Sequence, residues 1–203
     1  MTPLVLIRHG PTLWNEEKRL QGHIYQPLSD AWREEVRAWR LPEDLKHYRW
    51  LVSPLGRAVE TARLLGIAEP ETEPRLKEMS WGDWEGQRLP DLRETLGADM
   101  TDLENRGLDL RPPGGESPRL LQERLKPLLA EIGREGRPTA AVCHRGVIRA
   151  LFSLASGWDM LGKPPVKVKN ACCHRFRIDA EGTPQVEAMN QPLKPQAPGE
   201  AKG

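Results

Sequence analysis

Three short segments of this 203-residue chain place arginine, histidine or both directly after an apolar run: Arg8-His9-Gly10, Ser53-Pro54-Leu55-Gly56-Arg57 and Cys143-His144-Arg145-Gly146. An imidazole can attack phosphorus or carry a proton, and a guanidinium grips phosphate oxygens with a planar fork of donors. Where such residues end a strand and open a helix, the free amides and the positive end of the helix dipole add their own attraction for an anion. Any one of these tripeptides is an ordinary loop by background residue usage. All three together define a local anion site, and phosphate is the anion their chemistry suits.

Such a site needs a scaffold that brings three strand ends to one crevice. Leu4-Val5-Leu6-Ile7, Trp50-Leu51-Val52 and Thr139-Ala140-Ala141-Val142 are short, continuously apolar runs, the pattern of strands covered on both faces. Ser53 as N-cap with Pro54 behind it predicts a helix to about Leu65, and Gly146 leads into another carrying Val147, Ile148, Leu151 and Leu154. Trp32, Val36 and Trp39 mark one face of a helix after Ser29. Leu121, Leu125, Leu128, Leu129 and Ile132 mark another after Ser117-Pro118, with a kink expected at Pro127 and an end at Gly133. Late strands are expected near His174 to Ile178 and Gln185 to Ala188. The alternation predicts an α/β fold, a three-layer α/β/α sandwich around a mostly parallel sheet, as a single domain over residues 1–189. Residues 190–203, dominated by Pro, Gly, Lys and Gln, are expected to be a disordered tail. In open α/β sheets the ligand crevice lies beyond the carboxyl ends of the strands, where the three segments fall.

Composition sets the remaining bounds. Thirty Lys+Arg against 29 Asp+Glu leave a net charge of +1, so no whole-molecule field draws in nucleic acid or an anionic membrane. The first apolar run is too short for a signal-peptide core or a spanning helix, and a soluble, cytoplasmic protein is expected. Three cysteines without a Cys-x-x-Cys pair signal neither a disulfide framework nor a zinc knuckle. No cofactor and no metal is called for.

Longer blocks then appear in order along the chain. Leu6-Ile7-Arg8-His9-Gly10-Pro11-Thr12-Leu13-Trp14-Asn15, followed by Arg19-Leu20-Gln21-Gly22 and Pro27-Leu28, resembles the opening of the histidine phosphatase superfamily, which includes the cofactor-dependent phosphoglycerate mutases. Ser53 to Ala58 with Glu60-Thr61-Ala62, Glu78 ahead of Gly82-Asp83-Trp84-Glu85-Gly86, Pro113-Gly114-Gly115-Glu116-Ser117 and His144 to Arg149 are similar to the later blocks of that family. The resemblance runs from about Leu4 to Leu154. It implies the phosphoglycerate mutase-like fold, a phosphohistidine formed on His9, transition-state oxygens held by Arg8, Arg57 and His144, and Glu78 as the acid that protonates the leaving alkoxide and later takes a proton from water. Asn15, Gln21 and Gly22 correspond to positions that bind phosphate or substrate. The implied partner is a small phosphorylated substrate, with inorganic phosphate as product. The short Gly82 to Gly86 stretch after Glu78 resembles the phosphatase branch, so a metal-independent phosphomonoesterase is expected.

The departures concern the substrate. Arg145 stands where the family commonly has a second glycine, putting another guanidinium within reach of a ligand. Tyr25 lies two residues ahead of Pro27 where an aspartate is common, and Trp32 replaces a usual glycine. Three other readings compete: mutase-type phosphoryl transfer, a non-catalytic phosphate-binding module, and a cysteine-dependent phosphatase. The last is suggested by Cys143-x5-Arg149, but the hydroxyl residue expected next is Ala150. Trp14, Trp81, Trp84 and His23 neighbour these blocks and are candidates to wall a pocket, with packing the simpler role for the tryptophans.

Overall fold

The structure, a computed structural model, describes residues 1–193. Its sheet contains β1 (Thr2–Arg8), β2 (Arg49–Val52), β3 (Glu71–Thr72), β4 (Thr139–Cys143), β5 (Cys172–Ile178) and β6 (Pro184–Pro192), in the order β3-β2-β4-β1-β5-β6. The first four strands pair in parallel, and β5 and β6 add antiparallel on the other side of β1. The three apolar runs are thus the central strands, covered on both faces as their sequence requires.

Side chains alternate strictly between the two faces. Leu4, Leu6, Leu51, Ala141 and Cys143 join one core with α6 (Pro118–Glu135) and α7 (Arg145–Ser156). Val5, Ile7 and Ala140 point the opposite way, toward Val36 of α2 (Asp30–Ala38) and Trp39, while Val52 and Val142 meet Ala58 and Ala62 of α3 (Gly56–Leu64). This is the expected three-layer α/β/α sandwich. Among the described residues no helix is long and apolar enough to cross a membrane.

Local details correct the sequence reading. Ser53 does not cap α3: the helix begins at Gly56 with Leu55 as its N-cap, and the Ser53 hydroxyl lies 2.7 Å from His144 Nε2. Gly133 does not end α6, which runs to Glu135 and closes on Gly136 in the left-handed conformation (φ 63°). The Gly133 requirement is one of space, since a Cβ there would lie 2.0 Å from the Asp179 carbonyl oxygen in the β5–β6 turn. The helix continues through Pro127, which sits on the exposed face where the carbonyl it leaves unbonded can be hydrated. Finally, β6 extends to Pro192 and Leu193 is buried, so order continues past residue 189. The remainder of the expected tail, from 194, lies outside the described residues.

Candidate active site

Strand register brings the three segments together. Arg8 at the end of β1 pairs with Cys143 at the end of β4, and the His9 amide donates to the Cys143 carbonyl at 3.0 Å. Val52 at the end of β2 pairs with Val142, and the Ser53 amide donates to the Val142 carbonyl at 3.0 Å. Three adjacent parallel strands therefore end level with one another. The rings of His9 and His144 come to 5.1 Å between centroids, tilted by 55°.

His9 is buried, with 2% of its surface exposed, and its tautomer is set by its neighbour. Nδ1 lies 2.7 Å from the Gly10 carbonyl oxygen. A carbonyl only accepts, so Nδ1 carries the proton and Nε2 keeps its lone pair. Burial first, and then the charges of Arg57 and Arg8, push the His9 pKa well below its ordinary value. The ring is neutral and nucleophilic. Gly10 is itself held by Thr61, whose Oγ1 accepts from the Gly10 amide at 3.0 Å.

Near His9 lies a set of buried nitrogens with open valence. Arg8 Nε, Arg57 Nε and Gln21 Nε2 are donors buried without a hydrogen-bond partner, and His144 Nδ1, a donor when Nε2 accepts from the Ser53 hydroxyl, is likewise unpartnered. Unpaired buried donors are costly, and their gathering in one region of a protein marks a place meant for an acceptor. Their other atoms are fixed: Arg57 Nη2 donates to the Gly22 carbonyl at 2.8 Å, Arg8 Nη1 donates to Asn170 Oδ1, His144 Nε2 lies 2.7 Å from Ser53 Oγ, and Thr12 Oγ1 donates to Gln21 Oε1 at 2.9 Å. Burial pulls both Arg8 and Arg57 down to about 10, so each stays charged at neutral pH.

Glu78, 7% exposed, lines the same cleft as His9. Its Oε1 accepts from the Met79 amide at 2.9 Å and its Oε2 from the Gly146 amide at 3.1 Å. A Cβ on residue 146 would fall 2.2 Å from Glu78 Oε1, so glycine there is a condition of this arrangement. Glu85 serves differently. Its two oxygens take the backbone amides of His23, Ile24 and Trp81 at 2.9 to 3.2 Å, tying down the loop whose Gly22 carbonyl holds Arg57.

Above these groups opens a cleft of about 850 Å³. Of the residues singled out in the sequence, Arg8, His9, Asn15, Gln21, Glu78, Trp81 and Arg145 line it, whereas Arg57 and His144 lie buried outside its lining. Asn15 Oδ1 accepts from the Thr12 amide at 3.2 Å, so its NH2 group is what it can offer a ligand. Gly22 contributes its carbonyl to Arg57 and does not line the cleft. His23 donates from Nε2 to the Glu78 carbonyl at 2.8 Å, outside the cleft lining, and Trp84 is a core residue stacked beneath Trp81. Tyr25, 71% exposed, lays its ring against Gly56. Sequence reasoning missed Asn170, Ser53 as a partner of His144, Arg149, and the wall built by α4 (Leu89–Leu96), α5 (Ala98–Glu104) and the 160–162 segment. Asn170 and α5 carried no local signal; Arg149 stood inside a recognised block without a role.

The buried imidazoles have a consequence for stability. His9, His144 and His174 are all held neutral, the last at about 4, with desolvation the main cause in each. In the unfolded chain each returns to about 6.5 and binds a proton that the folded chain refuses. Stability is therefore full above pH 6.5 and lost as pH falls from there toward the folded values. Three such groups give a loss of about 4 kcal/mol between pH 7.5 and pH 5.5. Denaturant midpoints at the two pH values, at unchanged slope, measure it; equal midpoints would mean that the rings titrate in the folded protein.

Fold and site together define an α/β protein with a crevice lined by histidine and arginine at the carboxyl ends of its parallel strands. The chain belongs to the histidine phosphatase superfamily (branch 1), whose family model matches residues 4–192, and the resemblance read from the motifs is borne out. It is 34% identical over 190 residues to phosphoglycerate mutase-like protein 4 of Arabidopsis thaliana, covering 86% of this chain and 79% of that protein. Among solved structures it is similar to the mycobacterial glucosyl-3-phosphoglycerate phosphatase in complex with VO3, at TM-score 0.75 and 27% identity, covering 94% of this chain and all of the other. The alpha-ribazole phosphatase of Shigella flexneri aligns at TM-score 0.77 and 25% identity, over 97% of this chain and 100% of the other. Relatives thus carry both mutase and phosphatase names.

Proposed function

We propose that the protein is a phosphomonoesterase working through a phosphohistidine. The carrying observation is the fixed tautomer of His9: with Nδ1–H given to Gly10, Nε2 is left free to attack, and buried nitrogens of Arg8, Arg57, His144 and Gln21 without partners lie in the same region. In the first step Nε2 forms a bond to phosphorus as the ester P–O bond breaks, and Glu78 hands its proton to the departing alkoxide. The arginines neutralise the equatorial oxygens throughout, and the neutral His144 ring can add a hydrogen bond from Nδ1. In the second step water attacks the phosphohistidine, Glu78 takes its proton, the P–N bond breaks and inorganic phosphate leaves.

Hydrolysis rather than mutase-type transfer is favoured by the access that water has. Arg93, Arg145 and Leu161 on the cleft wall are solvent-exposed, and Glu78 lines the same cleft. Metal is not part of this reading, since the phosphate charge meets two buried guanidinium groups; among the described residues no three His, Cys, Asp or Glu side chains gather as a ligand set. The expected result is release of inorganic phosphate from simple phosphomonoesters, unchanged after exhaustive chelation. Transfer to a second substrate without phosphate release would favour the mutase reading. Activity lost to chelator and restored by one divalent ion would contradict metal independence.

A further inference from the structure

The cleft holds more positive charge than a phosphate ester can use. Arg145 and Arg149 lie four residues apart on α7, so their side chains share one face of the helix, and both line the cleft. No carboxylate pairs with either among the described residues. Arg149 Nε is buried and without a partner, and its guanidinium carbon stands 5.2 Å from the ring centre of Trp158. The other cleft-wall arginines differ in this respect: Arg19 is paired with Glu17, and Arg93 with Glu104. Two like charges side by side on a helix repel, and here burial first and then Arg145 lower the pKa of both Arg149 and Arg8, with Glu78 opposing in each case. Such a cluster costs stability unless a ligand repays it.

Charge balance indicates what the ligand carries. With Glu78 carrying the proton it donates, Arg8 and Arg57 match the two charges of a phosphomonoester dianion, which leaves Arg145 and Arg149 in excess. One more negative group is required. We propose that Arg145 and Arg149 form a second anion subsite, which reads a carboxylate or a second phosphate on the leaving-group side of the ester. Resting on the phosphomonoesterase reading of the same cleft, this makes the preferred substrate a phosphate ester of an acidic alcohol rather than of a neutral one. Met79, Leu121 and Met160 also line the cleft and suit the carbon chain that joins the two anionic groups.

The test compares ω-phosphooxyalkanoates of three to six carbons, the matching alkyl phosphates and the matching alkanediol bisphosphates. The wild-type protein is expected to prefer the best acidic ester over its neutral partner by roughly 10- to 100-fold in kcat/KM, the worth of a charge-assisted contact. The carboxylate and bisphosphate arms tell which anion is read. Arg145→Gly and Arg149→Gln should each shrink that ratio about tenfold, and Arg149→Lys should retain part of it. Arg145 is exposed, so its variant separates the subsite from a folding defect. A ratio near one in the wild type, or a ratio unmoved in Arg145→Gly, overturns the subsite. Calorimetric binding of the same esters to the intact protein supplies the ratio independently of turnover. Preferential binding of the acidic ester without hydrolysis of any ester would keep the subsite and overturn the phosphomonoesterase reading instead.

Discussion

His9→Ala is expected to lower kcat by about four to six orders of magnitude, the scale on which losing a nucleophile acts, while Cys143→Ala retains most of the activity. The two residues end neighbouring strands, and each follows an apolar run, so sequence alone leaves both open as nucleophiles. Geometry separates them. The Cys143 thiol is fully buried among the leucines between β4 and α6, burial and the nearby Glu78 push its pKa up, and its Sγ faces the His144 carbonyl at 3.9 Å. A thiol so placed is no thiolate at neutral pH, and only the thiolate attacks. His9 needs no activation of this kind, because burial first, and then the charges of Arg57 and Arg8, keep it unprotonated. Acid-quenched and alkali-quenched turnover decide the matter: a phosphoenzyme that survives alkali and decays in acid is phosphohistidine. A trapped species with the opposite lability, lost in Cys143→Ala and kept in His9→Ala, would reverse the assignment. His9→Ala should still bind inorganic phosphate, since Arg8, Arg57 and His144 remain, and that binding shows the variant to be folded.

The central sheet was readable because strands covered on both faces have to be apolar, and Leu4 to Ile7 and Thr139 to Val142 are short runs of that kind. The convergence of Arg8, His9 and His144 was equally readable, since residues at the ends of neighbouring parallel strands converge whatever the loops do, whereas Glu78 was singled out only by the family resemblance. The features that escaped are those decided by distant partners. Ser53 looks like a helix cap and becomes the partner of His144, 91 residues away. Gly133 looks like a helix stop, yet its small size makes room for the Asp179 carbonyl. Asn170 orients Arg8 across 162 residues, a relation that no local pattern encodes. The antiparallel setting of β5 and β6, and the reach of β6 to Pro192, likewise follow from pairing with β1 rather than from composition.

Glu78→Gln is expected to slow phosphorylation by an alkyl phosphate about 10²- to 10⁴-fold while slowing that by p-nitrophenyl phosphate less than tenfold. The reason is the leaving oxygen: an alkoxide departs only as it is protonated, whereas p-nitrophenolate is stable as an anion. Two carboxylates flank the Trp81-Gly82-Asp83-Trp84 stretch, and the contrast between their surroundings predicts which one acts. Glu78 accepts one amide on each oxygen and opens onto the cleft beside His9. Glu85 has both oxygens committed to the amides of His23, Ile24 and Trp81, and it touches Gly22 so closely that a Cβ there would lie 1.9 Å from its Oε1. Glu85→Gln puts an NH2 group against a backbone amide, loosens the loop that holds Arg57 and so harms both esters alike. Single-turnover rates on the two esters separate the roles, because they isolate the first half-reaction from the attack of water, which also depends on Glu78. A leaving-group effect in Glu85→Gln with none in Glu78→Gln would transfer the acid role to Glu85, and an equal loss on both esters in Glu78→Gln would reduce that residue to anchoring the start of α7 through Gly146.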